Sequence, residues 1–330
     1  MAVEEFSLIE RFFNSSQLRH HHQHIDLGIG DDAAILSPPS DKRLCVAVDT
    51  LVAGVHFPIE TNACDIGYKA LAVNLSDLAA MGASPYAFTL ALTLPDTNKN
   101  WLQSFSEGLF DLASQHQIDL IGGDTTRGPL SISIQAFGLL TRTQALLRSG
   151  AKAGDDIYVS GNIGDAGLGL KIQQEEAFSE LDQAHKQTLL SRLNRPSPRI
   201  ELGQKLLGLA NSTIDVSDGL LVDLQHILDA SQVGACINIE SIPLSSAYKT
   251  ATAHQSKQDF YSIFRAVEAG DDYELCFTAP ANRREQLETM QGHVPIKRIG
   301  QITEKKNQQY TNAKGEKIAY SATGFTHFPD

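Results

Sequence analysis

The sequence has few cysteines and no excess of positive charge, and both shortages exclude classes of protein. Its 330 residues include 4 cysteines, which are widely scattered and form no C-x-x-C pair. This spacing argues against a zinc site and a disulfide framework, and we expect reduced thiols. With 27 basic against 39 acidic residues, the net charge is −12, which argues against sequence-independent binding to nucleic acid. An acidic chain of this kind can still take metal cations as partners.

Long apolar segments are also lacking. The start, M-A-V-E-E-F-S-L-I-E-R-F-F, is acidic early and has no extended apolar run, so it does not read as a signal peptide. No window along the chain is apolar enough to cross a bilayer. We therefore expect a cytoplasmic protein with no membrane partner.

The common nucleotide-binding and hydrolase motifs are missing too. The sequence has no G-x-x-x-x-G-K-[ST] loop, no H-R-D and D-F-G pair and no G-x-S-x-G elbow, which argues against P-loop proteins, protein kinases and serine hydrolases. The stretch G-I-G-D-D-A (28–33) fits G-x-G-x-x-A, but it continues as A-I-L-S-P-P. A Rossmann site needs a helix at that point, so the dinucleotide interpretation fails.

What is present is an alternation of strand and helix patterns. Over the first 140 or so residues, apolar β-branched runs such as 45–52 alternate with helical patterns such as 65–82 and 100–116, as in a layered α/β or α+β domain. We expect the 65–82 helix to be capped by Asp65 and stopped by Gly82.

A join between domains is predicted near the middle of the chain. The stretch R-S-G-A-K-A-G-D-D-I-Y-V-S-G (148–161) is small, polar and glycine-punctuated, and mixed helix and strand patterns resume after it. With 330 residues, two domains are the default. We place them at 1–147 and 148–330.

Aspartates recur at glycine turns and strand ends, and this recurrence is the main chemical signal. Any one of them can be an ordinary turn or helix cap, but strand ends in layered domains converge on one crevice. The five sites are Gly30-Asp31-Asp32, Val48-Asp49-Thr50, Gly122-Gly123-Asp124, Asp215-Val216-Ser217-Asp218-Gly219 and Gly270-Asp271-Asp272.

The stretch I-G-G-D-T-T-R-G (121–128) shows what such a cluster can do. We read it as a strand that leads into a glycine loop, where paired glycines let a ligand approach the backbone. Asp124 would repel phosphate unless a cation lies between them. Oxygen ligands without a Cys or His pattern favour Mg²⁺, and Mg²⁺ can bridge carboxylates to a polyphosphate. Arg127 and Arg148 can then bind phosphate oxygens, an arrangement suited to phosphoryl transfer.

Two aspartates, Asp77 in the predicted 65–82 helix and Asp218, each have a second interpretation. Asp77 shares a helix face with Ala70, Val73 and Asn74, so we expect it to be buried. A buried carboxylate needs a metal or a salt bridge, and Lys69 is one possible partner. Asp218 can instead complement the start of the following helix, with Ser217 as its cap.

With these motifs, the chain resembles the thiamine-monophosphate kinase family of the aminoimidazole ribonucleotide synthetase superfamily. The resemblance runs from E-F-S-L-I near the start to G-F-T-H-F near the end. Its specific motifs are G-I-G-D-D-A, D-T-L-V-A-G-V-H-F, Y-K-A-L-A-V-N-L-S-D-L-A-A-M-G-A, L-I-G-G-D-T-T-R-G, R-S-G-A-K-A-G-D, D-V-S-D-G-L and D-D-Y-E-L-C-F.

The resemblance implies a fold and a reaction. The N-terminal α/β domain would form a homodimer through a β barrel shared across the dimer, and the C-terminal α+β domain would complete the active site. The implied reaction is the last step of thiamine diphosphate biosynthesis, in which ATP phosphorylates thiamine monophosphate. The substrate phosphate would attack the γ-phosphorus in line, without a phospho-enzyme, while several Mg²⁺ ions hold the polyphosphate.

The resemblance also implies roles for individual residues, and metal-bound Asp49, Asp77 and Asp124 would carry the chemistry. The full set of implied metal ligands is Asp32, Asp49, Asp77, Asp124, Asp215 and Asp218. The implied ATP-site residues are Gly123, Asp124, Arg148 and Ser217. The implied substrate contacts are His56, Asp271 and Phe325, although a histidine after a strand is often structural.

Three positions depart from the family's usual residues. Val48 replaces a common threonine, so a metal contact there has to use the backbone carbonyl. Asp271 stands where a longer glutamate usually contacts the substrate. Phe325 stands where Trp or Tyr commonly packs on the substrate, so stacking remains possible without a polar donor.

The sequence fits other members of the superfamily less well than the kinase. A selenophosphate synthetase would need a reactive Cys near its glycine-rich start, a hydrogenase-maturation protein would end in a cysteine-bearing tail, and purine-pathway synthetases carry a different first motif. Outside the superfamily, the carboxylates could serve a two-metal phosphohydrolase, or the chain could bind nucleotide without turnover.

Overall fold

The computed structural model describes residues 5–13, 24–174, 178, 180–253, 260–290 and 294–320. The chain forms two compact units. Unit 1 comprises Met1–Leu78 and Ala83–Gln144, and unit 2 comprises Ala79–Gly82 and Ala145–Asp330. Both combine helices with a β-sheet, which confirms the mixed α/β and α+β class.

Unit 1 is built around a four-stranded sheet with the strand order β3-β6-β4-β5. Strands β4 and β5 run parallel and the other neighbours antiparallel, while β1 and β2 form a short separate pair. The elements are α1 (Glu5–Phe12), β1 (Ile25–Leu27), β2 (Ile35–Leu36), β3 (Lys42–Val52), α2 (Ala63–Ala80), β4 (Ser84–Leu94), α3 (Lys99–His116), β5 (Asp119–Arg127) and β6 (Ser131–Thr141).

Helix α2 begins two residues before the predicted start. The Asn62 side chain accepts a hydrogen bond from the Cys64 N–H at 2.8 Å, so Asn62 serves the first turn and Asp65 lies inside the helix. The predicted stop is confirmed, since α2 ends at Ala80 and Gly82 has φ 72°.

Helices α2 and α3 approach each other closely because glycines lie at their contact. A Cβ added to Gly67 would come within 2.1 Å of the Phe105 carbonyl oxygen, and one added to Gly108 within 1.8 Å of that of Cys64. Helix α2 in turn covers one face of the sheet, where the Leu78 side chain lies against Gly138 of β6. This face is the core of unit 1.

The stretch Gly122-Gly123-Asp124 lies within strand β5 rather than in the loop that the sequence predicted. Strand β5 pairs with β4 through this stretch, with Leu90 opposite Gly123 and Ala91 opposite Asp124. The pairing continues through both glycines, but its register shifts between Phe88 and Thr89, which lie opposite Leu120 and Gly122, an irregularity that glycine in a strand often marks. The Rossmann exclusion agrees with the structure, because the strand β2 follows G-I-G-D-D-A.

Unit 2 is built around a seven-stranded sheet with the order β13-β12-β9-β11-β7-β10-β8. Strands β9 and β12 are parallel and the other neighbours antiparallel. The elements are β7 (Asp156–Ser160), α4 (Asp165–Gln173), α5 (Gln183–Asn194), α6 (Ile200–Leu206), β8 (Ser212–Asp215), α7 (Leu220–Ser231), β9 (Gly234–Asn238), α8 (Ser246–Ala251), α9 (Tyr261–Glu268), β10 (Leu275–Ala279), α10 (Arg284–Thr289), β11 (Ile296–Thr303), β12 (Gln308–Thr311) and β13 (Lys317–Ile318).

One apolar core joins this sheet to helix α7. The buried side chains Leu220, Leu224 and Ile227 of α7 belong to the same cluster as Ile157 and Val159 of β7. The sheet and helix therefore fix the two ends of the segment 215–219, which carries three of the predicted site residues.

Candidate active site

A cavity of about 1000 Å³ lies in unit 1 beside strand β5. Asp32 and Asp124, two of the predicted metal ligands, both line it. Its acidic lining also includes Glu10 and Asp31, which the sequence analysis did not assign as ligands. The apolar part of the lining comes from α1 and the residue after it, from the segment between β1 and β2, and from the sheet: Ile9, Phe13, Ile29, Leu90, Leu120 and Ile121. The cavity therefore combines carboxylates with an apolar wall, and its volume suits a small-molecule ligand.

Gly123 lines the same cavity, and its surroundings explain why no larger residue fits. A Cβ at Gly123 would lie 1.9 Å from the Leu90 carbonyl oxygen on β4. A Cβ at Gly122 would meet nothing within 4 Å. Gly123 is therefore required by strand packing, whereas Gly122 leaves open space at the cavity.

Asp49 and Asp77 belong to a different part of unit 1. The Asp49 N–H donates to Asn74 Oδ1 at 3.1 Å, and Asn74 Nδ2 donates to the Ala70 carbonyl at 3.0 Å. Burial raises the pKa of the Cys45 thiol, and the negative charge of Asp77 raises it further. Asp77 is half-buried, so the prediction of full burial was wrong. Its neighbours on α2 are buried, but its own side chain reaches partly into solvent.

Sheet register separates Asp49 from Asp124. Asp49 lies on β3 and Asp124 on β5, the two outer strands of the four-stranded sheet. Strands are spaced by about 4.8 Å, so the two backbones are about 14 Å apart. Along this line Asp49 is opposite Ile134, which is opposite Leu90, which is opposite Gly123.

His56 follows strand β3 in a tight turn. The Val52 N–H donates to His56 Nδ1 at 3.0 Å, and the His56 N–H donates to the Val52 carbonyl at 3.0 Å. Because Nδ1 accepts a hydrogen bond, a neutral His56 carries its proton on Nε2. The half-buried ring is therefore fixed in orientation and tautomer by its own turn.

In unit 2, segment 215–219 joins strand β8 to helix α7. Asp215 ends the strand and is 6 % exposed, whereas Ser217 and Asp218 are half-buried. Ser217 does not cap α7, because the N-cap is Gly219 and no side-chain hydrogen bond caps the helix. The predicted cap was therefore wrong, whereas the charge of Asp218 at the helix start stays a prediction.

Asp223, which the sequence analysis missed, holds this segment instead. Its carboxylate Oδ2 accepts the N–H groups of Ser217, Asp218 and Gly219 at 3.0, 3.1 and 3.2 Å. Burial raises the pKa of Asp223 to about 7, an effect that the nearby charges of Asp215 and Asp218 increase and the backbone hydrogen bonds oppose. An acidic residue among the apolar residues of L-L-V-D-L was the available sequence signal.

Asp271 lies next to this segment. Its N–H donates to the Ser217 carbonyl at 2.8 Å, and its carboxylate accepts the Tyr273 hydroxyl at 3.1 Å. Asp271 and Tyr273 both have left-handed backbones, with φ 66° and 49°, a conformation that costs free energy for non-glycine residues. Asp271, the predicted substrate contact, therefore needs surrounding residues that stabilise this backbone conformation.

A buried ionic cluster supplies that support. Arg192 Nη2 donates to the Asp272 carbonyl at 2.6 Å and to Glu274 Oε1 at 2.9 Å, and Arg199 also binds Glu274. Burial raises the pKa of Asp272 well above its usual value, while its hydrogen bond from the Gly164 N–H opposes that rise. No pattern in the sequence predicted that these arginines, more than seventy residues upstream, would contact the D-D-Y-E motif.

The remaining predicted residues are less informative. Arg148 is exposed, and its carbonyl accepts the Ser231 hydroxyl at 3.4 Å. The same hydroxyl accepts the N–H groups of Gly150 and Ala151 at 3.1 Å, so R-S-G-A-K-A-G-D is anchored to the end of α7. Phe325 lies outside the described residues.

The donor chemistry fits Mg²⁺ that is shared with a polyphosphate. Over the described part of the chain, no group of three or more His, Cys, Asp or Glu side chains could hold a metal ion. Mg²⁺ is, however, usually bound through one or two carboxylates together with substrate phosphates and water. Asp32 and Asp124 on one cavity offer that many oxygen ligands.

The comparisons with known proteins agree with this architecture. Residues 30–140 match the N-terminal domain of AIR synthase related protein, and residues 152–311 match the C-terminal domain of the same family. The chain belongs to this family of two-domain proteins.

Individual relatives narrow the assignment. The chain is 47 % identical to thiamine-monophosphate kinase of Escherichia coli (strain K12), over 99 % of both chains. The crystal structure of thiamine-monophosphate kinase from Stenotrophomonas maltophilia K279a matches with TM-score 0.83 and 46 % identity, covering 96 % of this chain and 99 % of that one. Within its superfamily, the chain therefore belongs to the thiamine-monophosphate kinases.

One similar structure includes ligands. AaThiL complexed with AMPPCP and TMP matches with TM-score 0.77 and 28 % identity, covering 99 % of both chains.

No described helix is long and apolar enough to cross a membrane.

Proposed function

We propose that this chain transfers the γ-phosphoryl group of ATP to thiamine monophosphate, giving ADP and thiamine diphosphate. The observation that carries the proposal is the similarity to thiamine-monophosphate kinases, at 47 % identity across 99 % of the chain. The similar structure with AMPPCP and TMP and the cavity lined by Asp32, Gly123 and Asp124 support the same reaction.

The proposed site holds several Mg²⁺ ions. Bound to its carboxylates, they would neutralise phosphate charge and allow an acidic site to accept a polyphosphate. The residues proposed to hold it are Asp32 and Asp124 at the unit 1 cavity, Asp49 and Asp77 beside Asn74, and Asp215 and Asp218 before α7. Val48, which precedes Asp49, can contribute only its backbone carbonyl.

The proposed contacts of ATP follow from the backbone and the remaining polar groups. Gly123 lets a ligand approach β5 closely because it carries no side chain. Asp124 would hold the metal, Arg148 offers a guanidinium fork to phosphate oxygens, and Ser217 offers a hydroxyl.

The proposed substrate contacts are His56, Asp271 and Phe325. The Nε2–H of neutral His56 can donate to a phosphate or ring acceptor, because Nδ1 is bound to Val52. Asp271 offers a carboxylate from a backbone held by Ser217. Phe325 offers a ring for stacking on the thiamine.

Direct in-line attack by the phosphate oxygen of thiamine monophosphate is the proposed step. No side chain serves as a covalent nucleophile, so the chain contributes position and charge balance, which dominate phosphoryl transfer. Both reacting phosphates are anionic, so Arg148 and the cations that the carboxylates would hold would offset the repulsion between them.

The proposal extends to assembly, domains and location. Residues 1–147 would form the ATP-binding and dimerising domain and residues 148–330 the domain that completes the site, in a cytoplasmic homodimer. The apolar side chains Leu44, Val46 and Val48 on edge strand β3, which are 44, 50 and 63 % exposed, support a dimer contact on the open face of the unit 1 sheet.

A chromatographic assay tests the reaction. Purified protein is incubated with ATP, Mg²⁺ and thiamine monophosphate, with a magnesium-free control. The proposal predicts equal amounts of ADP and thiamine diphosphate, both abolished without Mg²⁺. Free phosphate without thiamine diphosphate would favour a phosphohydrolase, and nucleotide binding without any product would favour a non-catalytic protein.

A further inference from the structure

The segment 215–219 has its backbone hydrogen bonds satisfied from two directions. The N–H groups of Ser217, Asp218 and Gly219 all point to one oxygen of Asp223, which is 2 % exposed. Consecutive N–H groups that converge on one point form an anion-binding nest. Here the anion is a side chain of the protein itself.

The carbonyl groups of the same segment are used as well. The Ser217 carbonyl accepts the Asp271 N–H, and the Val216 carbonyl accepts the Tyr273 N–H, each at 2.8 Å. The Val216 N–H donates to the Glu274 carbonyl at 2.8 Å. The backbone is thus fixed on both sides, and the side chains of Ser217 and Asp218 remain half-buried rather than enclosed.

A bare helix start usually attracts phosphate through its backbone N–H groups. At α7 the carboxylate of Asp223 already takes the three N–H groups that precede the helix. A phosphate would have to displace a buried carboxylate to use them, and would meet the charges of Asp215 and Asp218 as well.

We infer that Asp223 is a positioning residue, which withholds the N–H groups of residues 217–219 from the nucleotide and leaves Ser217 and Asp218 to contact it through their side chains. The inference rests on the proposed function for the identity of the ligand. It deepens that function, because it makes recognition at this segment depend on the Ser217 hydroxyl and on a cation at Asp218.

The test uses two substitutions at Asp223 and a matched control. Asp223→Ala removes the acceptor, and Asp223→Asn keeps an oxygen acceptor in the same place. Asp229→Ala removes an exposed carboxylate from the same helix, whose partner is Gln225. Calorimetry with AMPPCP and Mg²⁺ measures nucleotide binding without relying on turnover.

Because Asp223 acts through its hydrogen bonds, Asp223→Ala should weaken binding of Mg²⁺·AMPPCP about tenfold or more. Asp223→Asn should bind it within about threefold of wild type. Asp229→Ala should bind as wild type does. A folded Asp223→Ala protein that binds as tightly as wild type, or more tightly because freed N–H groups take the phosphate, overturns the inference. An Asp223→Asn protein that loses as much binding as Asp223→Ala also overturns it.

Hydrogen–deuterium exchange of the peptide that spans 216–222 covers the case in which Asp223→Ala does not fold. In wild type these amides should exchange slowly before any ligand is added, because Asp223 already holds them. Unprotected amides that become protected when Mg²⁺·AMPPCP binds would overturn the inference.

The outcomes separate the inference from the proposed function. A wild-type protein that binds Mg²⁺·AMPPCP but makes no thiamine diphosphate refutes the kinase, while weakened binding by Asp223→Ala still supports the role of Asp223. If the wild type is a kinase but Asp223→Ala keeps the wild-type nucleotide affinity, the proposed function stands and the inference is refuted. A wild-type protein with neither binding nor turnover refutes both.

Discussion

Gly122 and Gly123 are neighbours in sequence, yet only one of them is required by its surroundings. Side-chain space on β5 is open at Gly122, whereas at Gly123 the adjacent strand β4 leaves none. The sequence predicted the importance of the pair but assigned it to a loop that binds phosphate. The structure assigns the second glycine to strand packing beside the cavity.

We expect Gly123→Ala to lower the unfolding free energy by at least about 2 kcal/mol, because the new methyl group would press on the Leu90 carbonyl and shift the strand. Denaturant titration of both glycine variants checks this. Gly122→Ala is the matched control and should stay within about 1 kcal/mol of wild type. Equal stability of the two variants would contradict the assigned packing.

The chemistry of individual aspartates was easier to predict than their surroundings. Sequence alone marked Asp32, Asp124 and Asp218 as acidic groups near glycines, because residue type and position are visible in the string. It gave full burial for Asp77 and a cap role for Ser217, and both were wrong. Both properties depend on side-chain packing that residue type does not reveal; before α7, for example, the Asp223 side chain rather than Ser217 bonds to the backbone N–H groups.

At the level of helices and strands, periodicity predicted most of unit 1. Helix α3 and strand β3 lie close to their predicted ranges, since their apolar patterns are long and regular. The predicted strand β5 ended too early because glycine is a poor strand former in isolation. Its actual length comes from pairing with β4, which is tertiary information.

Asp156 on strand β7 is held by two arginines from other elements of unit 2. Burial alone would raise the pKa of Asp156, but hydrogen bonds from Arg284 and Arg298 outweigh it and hold the pKa below its usual value. Arg284 Nη2 and Arg298 Nε lie 2.8 and 2.7 Å from Asp156 Oδ1. The carboxylate thus joins β7 to α10 and β11.

We expect Asp156→Asn to lower the unfolding free energy at pH 7 by about 1.5–3 kcal/mol, the range for hydrogen bonds to a charged group. The stabilisation is present above the unfolded pKa of about 3.9 and is lost as pH falls through the lower folded pKa. Denaturant titrations from pH 7 to pH 3 should therefore show the gap between wild type and variant shrinking in acid. Glu285→Gln, at an exposed site on α10, is the control. A gap that widens in acid would contradict the assignment.

For the whole molecule, the exposed apolar side of β3 is the feature that a single chain does not explain. An edge strand with Leu44, Val46 and Val48 exposed invites association unless it is covered. The resemblance predicts that a second copy covers it. Neither composition nor periodicity could reveal this, because both describe one chain.

We expect Val46→Lys to shift the protein from dimer to monomer, because it places a charge on the apolar contact. Sedimentation velocity over a range of concentrations measures the change. Gln115→Lys adds the same charge to the exposed surface of α3 and should leave the dimer intact. A wild-type monomer, or an unchanged dimer in Val46→Lys, would contradict the proposed contact.

The most direct test of the central claim, that carboxylates of this chain direct Mg²⁺-dependent phosphoryl transfer, is the rate of thiamine diphosphate formation by Asp124→Asn. Wild type and the control Asp111→Asn, which removes an exposed carboxylate from α3, should form ADP and thiamine diphosphate in equal amounts. Asp124→Asn should remain folded and lose about a hundredfold or more in rate, as expected when a charge-stabilising group is removed from an active site. A folded Asp124→Asn protein that forms thiamine diphosphate at the wild-type rate would remove Asp124 and its cavity from the mechanism.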